Sequence, residues 1–480
     1  MKIGLPKFPI EKIARYIPSV EKPTYKQSVN TRLKWTGVAL VLYFVLSAIQ
    51  IFGIQAGEYE QFRFYEIVLG SKFGSLMTLG IGPIVTSGIL LQLLVGSKII
   101  DWDTSKPEER EKFNMWNKFL AVLLCFIEGI AFVLAGTLPV VGGPVMQVAV
   151  ILQLAAGAII VILLDDLVSK WGFGSGISLF IAAGVSSQIL IRIFSPFTTT
   201  CDATNIMTCI PSVANPPTGL LWSFIINIFS ANPQMALLSI LPIIATAVVF
   251  MLVVYIQNVR IEIPLAFSAL RGFGRTWALK LLYTSNIPVI LTAAVIANLQ
   301  LVAHMAAIPN EAGLSCGWLG CFDTETKQAQ SGLIYYLSAP RNLLGDIVQL
   351  TVTGSELIRA GTYTLFLCAF AMVFSVFWVS TSGMDAASVS EQLEGIGMQI
   401  PGYRRDRRIM ESVLNKYIPA LALLGGLVVG LLAAFADFTG ALGTGTGMLL
   451  TVMIVYNYYE ELRAQRLDEA HPLVRKVFGE

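Results

Sequence analysis

Three polar side chains stand out because they interrupt long apolar stretches of the chain: Thr86, Glu128 and Asn298. An ionised carboxylate in the middle of a membrane span costs on the order of 3 kcal/mol even on lenient insertion scales. Glu128 is therefore expected to be neutral, partnered or facing water. On general grounds, Glu128 could simply pair with a neighbouring helix.

Patterns typical of catalytic and metal sites are missing from the sequence. His304 and His471 are the two histidines, and neither an HExxH nor a GxSxG motif occurs. Zinc hydrolases and serine hydrolases would carry such patterns. We therefore expect no catalytic residues, no metal and no cofactor, and a membrane enzyme is the weakest of the functional hypotheses.

The elements that carry these polar residues are predicted to be membrane-spanning helices. The 480 residues are 55% hydrophobic and 13% charged, about half the charge of a soluble protein. About 20 apolar residues cross the hydrocarbon core as a helix. Ten such runs occur, near residues 35–52, 75–96, 119–138, 145–164, 175–191, 238–257, 284–303, 361–380, 418–436 and 441–459. The sequence thus predicts an all-α polytopic membrane protein. The apolar stretch 220–230 is too short to cross and predicts an interfacial or re-entrant helix.

Positive charge predicts the orientation of the ten spans. Segments on the side of the two termini contain 27 of the 33 Lys and Arg residues, and the opposite side contains 6. Because positive loops stay inside, both termini are expected in the cytoplasm. Residues 1–34 lack the apolar core of a signal peptide and are expected to form a cytoplasmic amphipathic segment.

Span counting divides the membrane region into two halves. Residues 35–237 hold spans 1–5, residues 238–459 hold spans 6–10, and residues 460–480 form a cytoplasmic tail. Because five is odd, the second half must run inverted relative to the first, an arrangement common in transporters. A secondary transporter for a small solute is therefore the main rival hypothesis. It is disfavoured because the spans contain no Lys or Arg and Glu128 is the only carboxylate deep within one.

The second span is broken near its start. Residues 79–96 read LGIGPIVTSGILLQLLVG, with Gly80, Gly82 and Pro83 at the beginning. The preceding FRFYEIVLGSKF, residues 62–73, is apolar and aromatic but too short to span. Broken backbone at membrane depth survives only inside protein or beside a water-filled cavity. These segments predict an enclosed pore that a short helical stub enters from one side.

The cysteines fall into two groups. Cys125 and Cys368 lie within spans and are expected to be small apolar fillers. The other four form two close pairs in the loops predicted to be external, Cys201 with Cys209 and Cys316 with Cys321. On an oxidising face these pairs are expected to form two local disulfides; the alternative is four free thiols.

Six motifs resemble SecY, the large subunit of the protein-conducting channel, in its archaeal/eukaryotic form. They are LGIGPIVTSGILLQLLVGSKII (79–100), GSGISLFIAAG (174–184), YTSNIPVIL (283–291), PGYRRDRR (401–408), LNKYIPALALLGG (414–426) and TGALGTGTGMLLTVMIVYNYYEE (439–461). The resemblance runs from about residue 10 to residue 465. It implies two halves of five helices clamped around an hourglass pore that opens sideways to lipid between spans 2–3 and 7–8.

The resemblance also implies roles for particular residues. The family's pore ring falls on Ile81, Val85, Ile177, Ile181, Ile290 and Leu450. Its plug falls on residues 62–73, with Phe64, Ile67 and Val68 on the apolar face; the alternative is an interfacial helix on the outer surface. Thr86, Glu128 and Asn298 match the polar cluster across the lateral gate. On periodicity alone, the aliphatic positions would be ordinary packing residues.

Partners and location are likewise implied by the resemblance. The basic cytoplasmic loops match ribosome-docking loops, with Arg271, Arg275, Arg404 and Arg405 as contact residues, although charge runs are usually just solvated faces or topology determinants. Expected partners are SecE-like and Secβ-like small membrane subunits, the ribosome, nascent secretory and membrane polypeptides, and the lipid bilayer. The expected location is the cell (plasma) membrane, with the endoplasmic reticulum membrane as the alternative.

Overall fold

The structure is a computed structural model that describes most of the chain. Described are residues 19–25, 27–54, 71–97, 99–100, 102, 106–134, 138–198, 211–212, 215–267, 274–284, 286–309, 314–323, 329–340, 343–395, 398–399, 407–442 and 444–469. Several predicted site residues lie outside these ranges: Phe64, Ile67, Val68, Cys201, Cys209, Arg271, Arg404 and Arg405.

Helices dominate the described part of the chain, and ten of them coincide with the ten predicted spans. In chain order the helices are α1 (Val29–Ala48), α2 (Gly82–Gly96), α3 (Pro107–Leu134), α4 (Pro144–Trp171), α5 (Gly176–Phe194), α6 (Leu220–Phe229), α7 (Pro233–Gln257), α8 (Ile287–Met305), α9 (Leu333–Leu337), α10 (Leu343–Val348), α11 (Gly354–Thr381), α12 (Ala386–Gly395), α13 (Arg407–Phe438) and α14 (Gly445–Glu469). Within the described ranges, seven helices are long and apolar enough to cross a membrane, and α2 is a shorter apolar helix. The short helix α6 occupies the stretch predicted to be interfacial or re-entrant.

Some helices extend beyond the apolar runs that predicted them. Helix α3 begins at Pro107 rather than near residue 119, α13 begins at Arg407 rather than near 418, and α14 continues to Glu469. Hydropathy marks only the part of a helix that suits lipid, and these extensions are polar. Proline and acidic residues favour a helix start, and α3 opens with Pro107, Glu108 and Glu109.

The break in the second span lies where its glycines predicted it. The backbone turns through residues 71–81, with Gly74 at φ +78° and Gly80 at φ +51°, and α2 begins only at Gly82 with Pro83 in its first turn. Helix α4 passes against this irregular segment at Gly157, where an added Cβ would lie 1.9 Å from the Leu76 carbonyl oxygen. The two backbones can approach this closely only because Gly157 has no side chain.

Two small antiparallel sheets lie outside the helices, which span counting did not predict. The strands are β1 (Arg260–Phe267), β2 (Gly274–Lys280), β3 (Ile308–Pro309), β4 (Leu314–Gly317), β5 (Gly320–Asp323), β6 (Ala329–Gly332) and β7 (Met398–Gln399). One sheet has the order β2-β1-β7 and the other β3-β4-β5-β6. They fall in loops between spans, where a search for membrane-length apolar runs gives no signal.

The ten long helices share one apolar core. Buried side chains from all of them form a single contiguous cluster, which includes Tyr43 of α1 and Met453 of α14. A second cluster joins β1 and β2 to α12 and α13, and a third packs the β3–β6 sheet against the end of α8. Both sheets are therefore fixed to the helical body rather than free in solution.

Candidate channel constriction and gate

The six aliphatic residues of the predicted pore ring come from four helices and lie in one apolar cluster. Ile81 is the N-cap of α2, and Val85 lies in the first turn of that helix. Ile177 and Ile181 lie on α5, Ile290 on α8 and Leu450 on α14. Five of the six side chains are buried, and that of Ile177 is half-buried.

This arrangement has a simple chemical consequence. Branched aliphatic groups donate and accept no hydrogen bonds, so a ring of them excludes water when it is narrow. Such a ring offers the same surface to any side chain that passes. It can seal an aqueous path, and it selects for no particular chemical group.

The three polar residues singled out in the sequence come together at the boundary between the two halves. Asn298 Nδ2 on α8 donates to Thr86 Oγ1 on α2 at 3.4 Å. The Glu128 carboxyl on α3 also forms a side-chain hydrogen bond with Thr86. Thr86 thus bridges two helices of the first half and one of the second. Glu128 therefore pairs with a neighbouring helix of its own half.

Two further polar side chains on these helices were not singled out from the sequence. Gln92 on α2 and Asn286, the N-cap of α8, are buried. The Gln92 Oε1 and Asn286 Nδ2 atoms have no hydrogen-bond partner within the described part of the chain. Buried polar groups are normally paired. Gln92 and Asn286 lie within two of the six motifs that resemble SecY, residues 79–100 and 283–291. Nothing else in the sequence indicated a role for them.

The β2-β1-β7 sheet brings together the two loops that carry the predicted docking arginines. Strand β1 pairs with β7 through Ala266–Gln399 and Phe267–Met398, just before the PGYRRDRR motif begins at Pro401. Arg275 lies in β2, opposite Leu265 of β1. The backbone therefore places the loop after span 6 beside the loop after span 8, although they are about 130 residues apart in sequence.

Polar contacts hold this sheet to the body of the protein. Glu460 on α14 pairs with Arg260 at 3.1 Å and also with Lys280. The Tyr283 hydroxyl donates to the Met384 carbonyl at 2.8 Å. Burial, with the nearby Asp385 carboxylate, raises the pKa of Tyr283 to about 12, so this hydroxyl remains a donor at neutral pH.

The segment before α1 is anchored to one end of α4. The Asp166 carboxylate accepts from the Val20 backbone N–H at 2.9 Å, and it pairs with Lys118 at 2.8 Å and Lys170 at 2.9 Å. The Trp171 indole donates to the Glu21 carbonyl at 2.8 Å. These contacts tie residues 20–21 to α3 and α4, which sequence reasoning did not anticipate.

The cysteines of the described part take two forms. Cys316 and Cys321 form a disulfide between paired residues of β4 and β5. Cys125 and Cys368 are free and buried within the helical body. No group of His, Cys, Asp and Glu suited to a metal ion occurs among the described residues.

Comparison with known proteins matches this architecture over nearly the whole chain. The SecY family model matches residues 75–459. The protein translocase subunit SecY of Pyrococcus furiosus is 42% identical over 488 residues, covering 97% of this chain and 98% of that protein. The protein of the same description from Methanocaldococcus jannaschii is 40% identical over 470 residues, covering 97% and 98%.

Solved structures give the same result. One described as the structure of a protein conducting channel superposes with a TM-score of 0.79 at 40% identity, covering 96% of this chain and 98% of that one. Sec61 in the canine ribosome-channel complex from the endoplasmic reticulum superposes with a TM-score of 0.75 at 39% identity, with the same coverage. The resemblance and the polytopic helical fold predicted from the sequence are thereby confirmed, and the chain belongs to the SecY family of protein translocase subunits.

Proposed function

We propose that this chain is the pore-forming subunit of a protein translocase. It conducts secretory polypeptides across the membrane and releases hydrophobic segments sideways into lipid. The observation that carries the proposal is that six aliphatic residues from α2, α5, α8 and α14 all belong to the apolar core that the two halves share: Ile81, Val85, Ile177, Ile181, Ile290 and Leu450. A chemically neutral constriction suits a substrate that is defined by its backbone and carries every kind of side chain.

The lateral gate of this proposal lies between α2–α3 on one side and α8–α11 on the other. The hydrogen bond from Asn298 to Thr86 crosses this boundary and holds the gate closed, and Glu128 is bonded to Thr86 from within the first half. Such bonds are worth about 1 kcal/mol or less each in a membrane protein. A hydrophobic signal sequence that binds between the helices can therefore compete with them. Gln92 and Asn286, with an unpaired polar atom on each side, are positioned to meet polar groups once the helices separate.

Residues 62–73 act in this proposal as a plug beneath the constriction, with Phe64, Ile67 and Val68 as its apolar residues. A solved relative at 40% identity is described as a SecY protein whose plug domain stabilises the closed state and maintains a membrane seal. The broken backbone at residues 71–81 supports the same role, because it lets the chain reverse before α2 begins.

The channel is passive in this proposal and is driven by a bound partner such as the ribosome. The canine Sec61 relative was solved in a ribosome-channel complex. The β2-β1-β7 sheet supports docking here, because it joins the loops that carry Arg271, Arg275, Arg404 and Arg405. SecE-like and Secβ-like membrane subunits complete the translocase. The archaeal relatives and the charge bias favour a plasma-membrane protein with both termini in the cytoplasm.

Site-specific crosslinking tests the proposed path. A photoreactive probe at Ile81 should form an adduct with a secretory chain stalled during export, because the chain must pass the constriction. A probe at Val41 is the matched control, since this aliphatic residue of α1 is 62% exposed on the outer surface of the helical body. Equal labelling at the two positions, or labelling at Val41 alone, would refute a central path.

A further inference from the structure

Two aspartates make the same contact in the two halves of the protein. Asp165, near the end of α4, accepts the Ile177 backbone N–H at 3.0 Å through Oδ1. Asp437, near the end of α13, accepts the Thr446 backbone N–H at 2.9 Å through Oδ1. Each carboxylate also accepts from the preceding glycine, Gly176 or Gly445, which begins the next helix.

The local backbone around the two contacts is built alike. A Cβ on Gly176 would lie 2.5 Å from the Asp165 Cα, and one on Gly445 would lie 2.0 Å from the Asp437 backbone nitrogen. Both helices therefore start in direct contact with the turn that carries the aspartate, where only glycine fits. The sequences agree as well, with Gly-Ser-Gly at 174–176 and Gly-Thr-Gly at 443–445. Span counting alone did not reveal this repeat.

The helices that begin at these contacts are two of those that carry the constriction. Ile181 lies four residues after Ile177 on α5, and Leu450 lies four residues after Thr446 on α14. The repeat therefore gives Ile181 and Leu450 equivalent positions. Because a residue one turn into a helix moves with the first turn, a contact that fixes the first turn of α5 or α14 also fixes the position of Ile181 or Leu450.

Asp437 makes contacts that Asp165 lacks. Its Oδ2 accepts from the Tyr363 hydroxyl on α11 at 2.7 Å and from the Thr446 hydroxyl. Tyr363 and Thr446 are 2% and 1% exposed. Without the carboxylate both hydroxyls would be left buried beside an empty space, which is costly. One side chain thus joins α13, the first turn of α14 and α11, a helix at the proposed gate.

We propose that Asp437 is a positioning residue that couples the gate helix α11 to the constriction residue Leu450 through Tyr363 and Thr446. This inference rests on the proposed function, because it assigns α11 to the gate and Leu450 to the constriction. Asp437 touches no substrate. It holds the closed arrangement by fixing where α14 begins relative to α11.

The test uses the full chain assembled with its membrane subunits in lipid bilayers. Asp437→Ala should raise ion conductance of the idle channel by about tenfold, since leaving buried donors without their acceptor costs roughly that factor. It should also allow export of a precursor with a weakened signal sequence. Asp437→Asn should lie between the parent and Asp437→Ala, because its amide oxygen still accepts the Thr446 N–H but its NH2 group cannot accept from the Tyr363 hydroxyl. Asp346→Ala, at an aspartate of α10 outside this network, is the control.

Two outcomes decide against the inference. If Asp437→Ala folds and its conductance and weak-signal export equal those of the parent, the proposed coupling is wrong. If Asp437→Ala does not fold, Tyr363→Phe decides, since it removes only the link to α11; unchanged conductance and export then overturn the coupling. Crosslinking at Leu450 separates this result from the larger proposal. A parent protein whose Leu450 probe never labels a stalled chain refutes the proposed constriction itself.

Discussion

Thr86 can bridge the proposed gate because a hydroxyl donates one hydrogen bond and accepts others at the same time. It accepts from Asn298 across the boundary of the two halves and is bonded to Glu128 within the first half. Its neighbour Ser87 faces differently: the Ser87 hydroxyl donates to Asn117 Oδ1 at 2.7 Å and so joins α2 to α3 only. Adjacent hydroxyls on one helix therefore have separable roles.

Thr86→Val should lower the signal hydrophobicity needed for export. The substitution keeps the shape of the side chain but removes the bridging hydroxyl. A loss of about 1 kcal/mol corresponds to roughly a fivefold shift between closed and open states. Export efficiency measured over a series of signals of decreasing hydrophobicity checks this. Ser87→Ala is the control and should leave the threshold in place; an equal shift in both variants would contradict the role of Thr86.

The elements are arranged by a few close backbone approaches. The irregular segment before α2 fits only because Gly157 lets α4 pass against the Leu76 carbonyl. This contact fixes where α2 begins, and with it Ile81 and Val85 of the proposed constriction. Helix α14 is fixed in the same manner, by Gly445 against the end of α13. Small residues at crossings are the usual means of close helix packing in membranes.

Gly157→Ala should destabilise the protein by about 1–3 kcal/mol, the usual cost of overpacking, because its Cβ would overlap the Leu76 carbonyl oxygen. Thermal unfolding of the purified protein in detergent measures the change. Gly361→Ala on α11 is the matched control, since no atom lies within 4 Å of its added Cβ. The control should unfold at the parent temperature or higher, because alanine favours a helix. Equal unfolding temperatures for Gly157→Ala and the parent would contradict the contact.

At the scale of the whole molecule, the proposed ribosome-docking face combines segments from distant parts of the chain. The β2-β1-β7 sheet unites two loops. Glu460 of α14 forms ion pairs with Arg260 of β1 and Lys280 of β2 and so holds these two strands to the helical body. A basic surface assembled in this way can bind the ribosome only if both loops stay in register with the helices. Binding to a phosphate backbone should then depend steeply on salt.

The affinity of the assembled translocase for ribosomes should fall as salt is added, and the logarithm of the affinity should decrease linearly with the logarithm of the salt concentration. Arg404→Ala should lower the magnitude of that slope by about 1, as expected for the loss of one phosphate contact. Sedimentation of ribosomes with the translocase at several salt concentrations gives the slope. Arg110→Ala on α3, an exposed arginine outside the two loops, is the control. Salt-insensitive binding, or the same slope for Arg404→Ala as for the parent, would contradict docking through this loop.

The sequence by itself determined the membrane class, the approximate positions of the ten span helices and the break before α2, because hydrocarbon imposes a length and composition on each span and glycine and proline interrupt it. It also singled out Thr86, Glu128 and Asn298, since polar residues are rare at that depth. Only the tertiary structure decided that Thr86 is the bridging member, that two sheets form between the spans, and that Asp437 joins Tyr363 to Thr446. These contacts link residues far apart in sequence, and which helix faces meet is settled by packing and not by hydropathy.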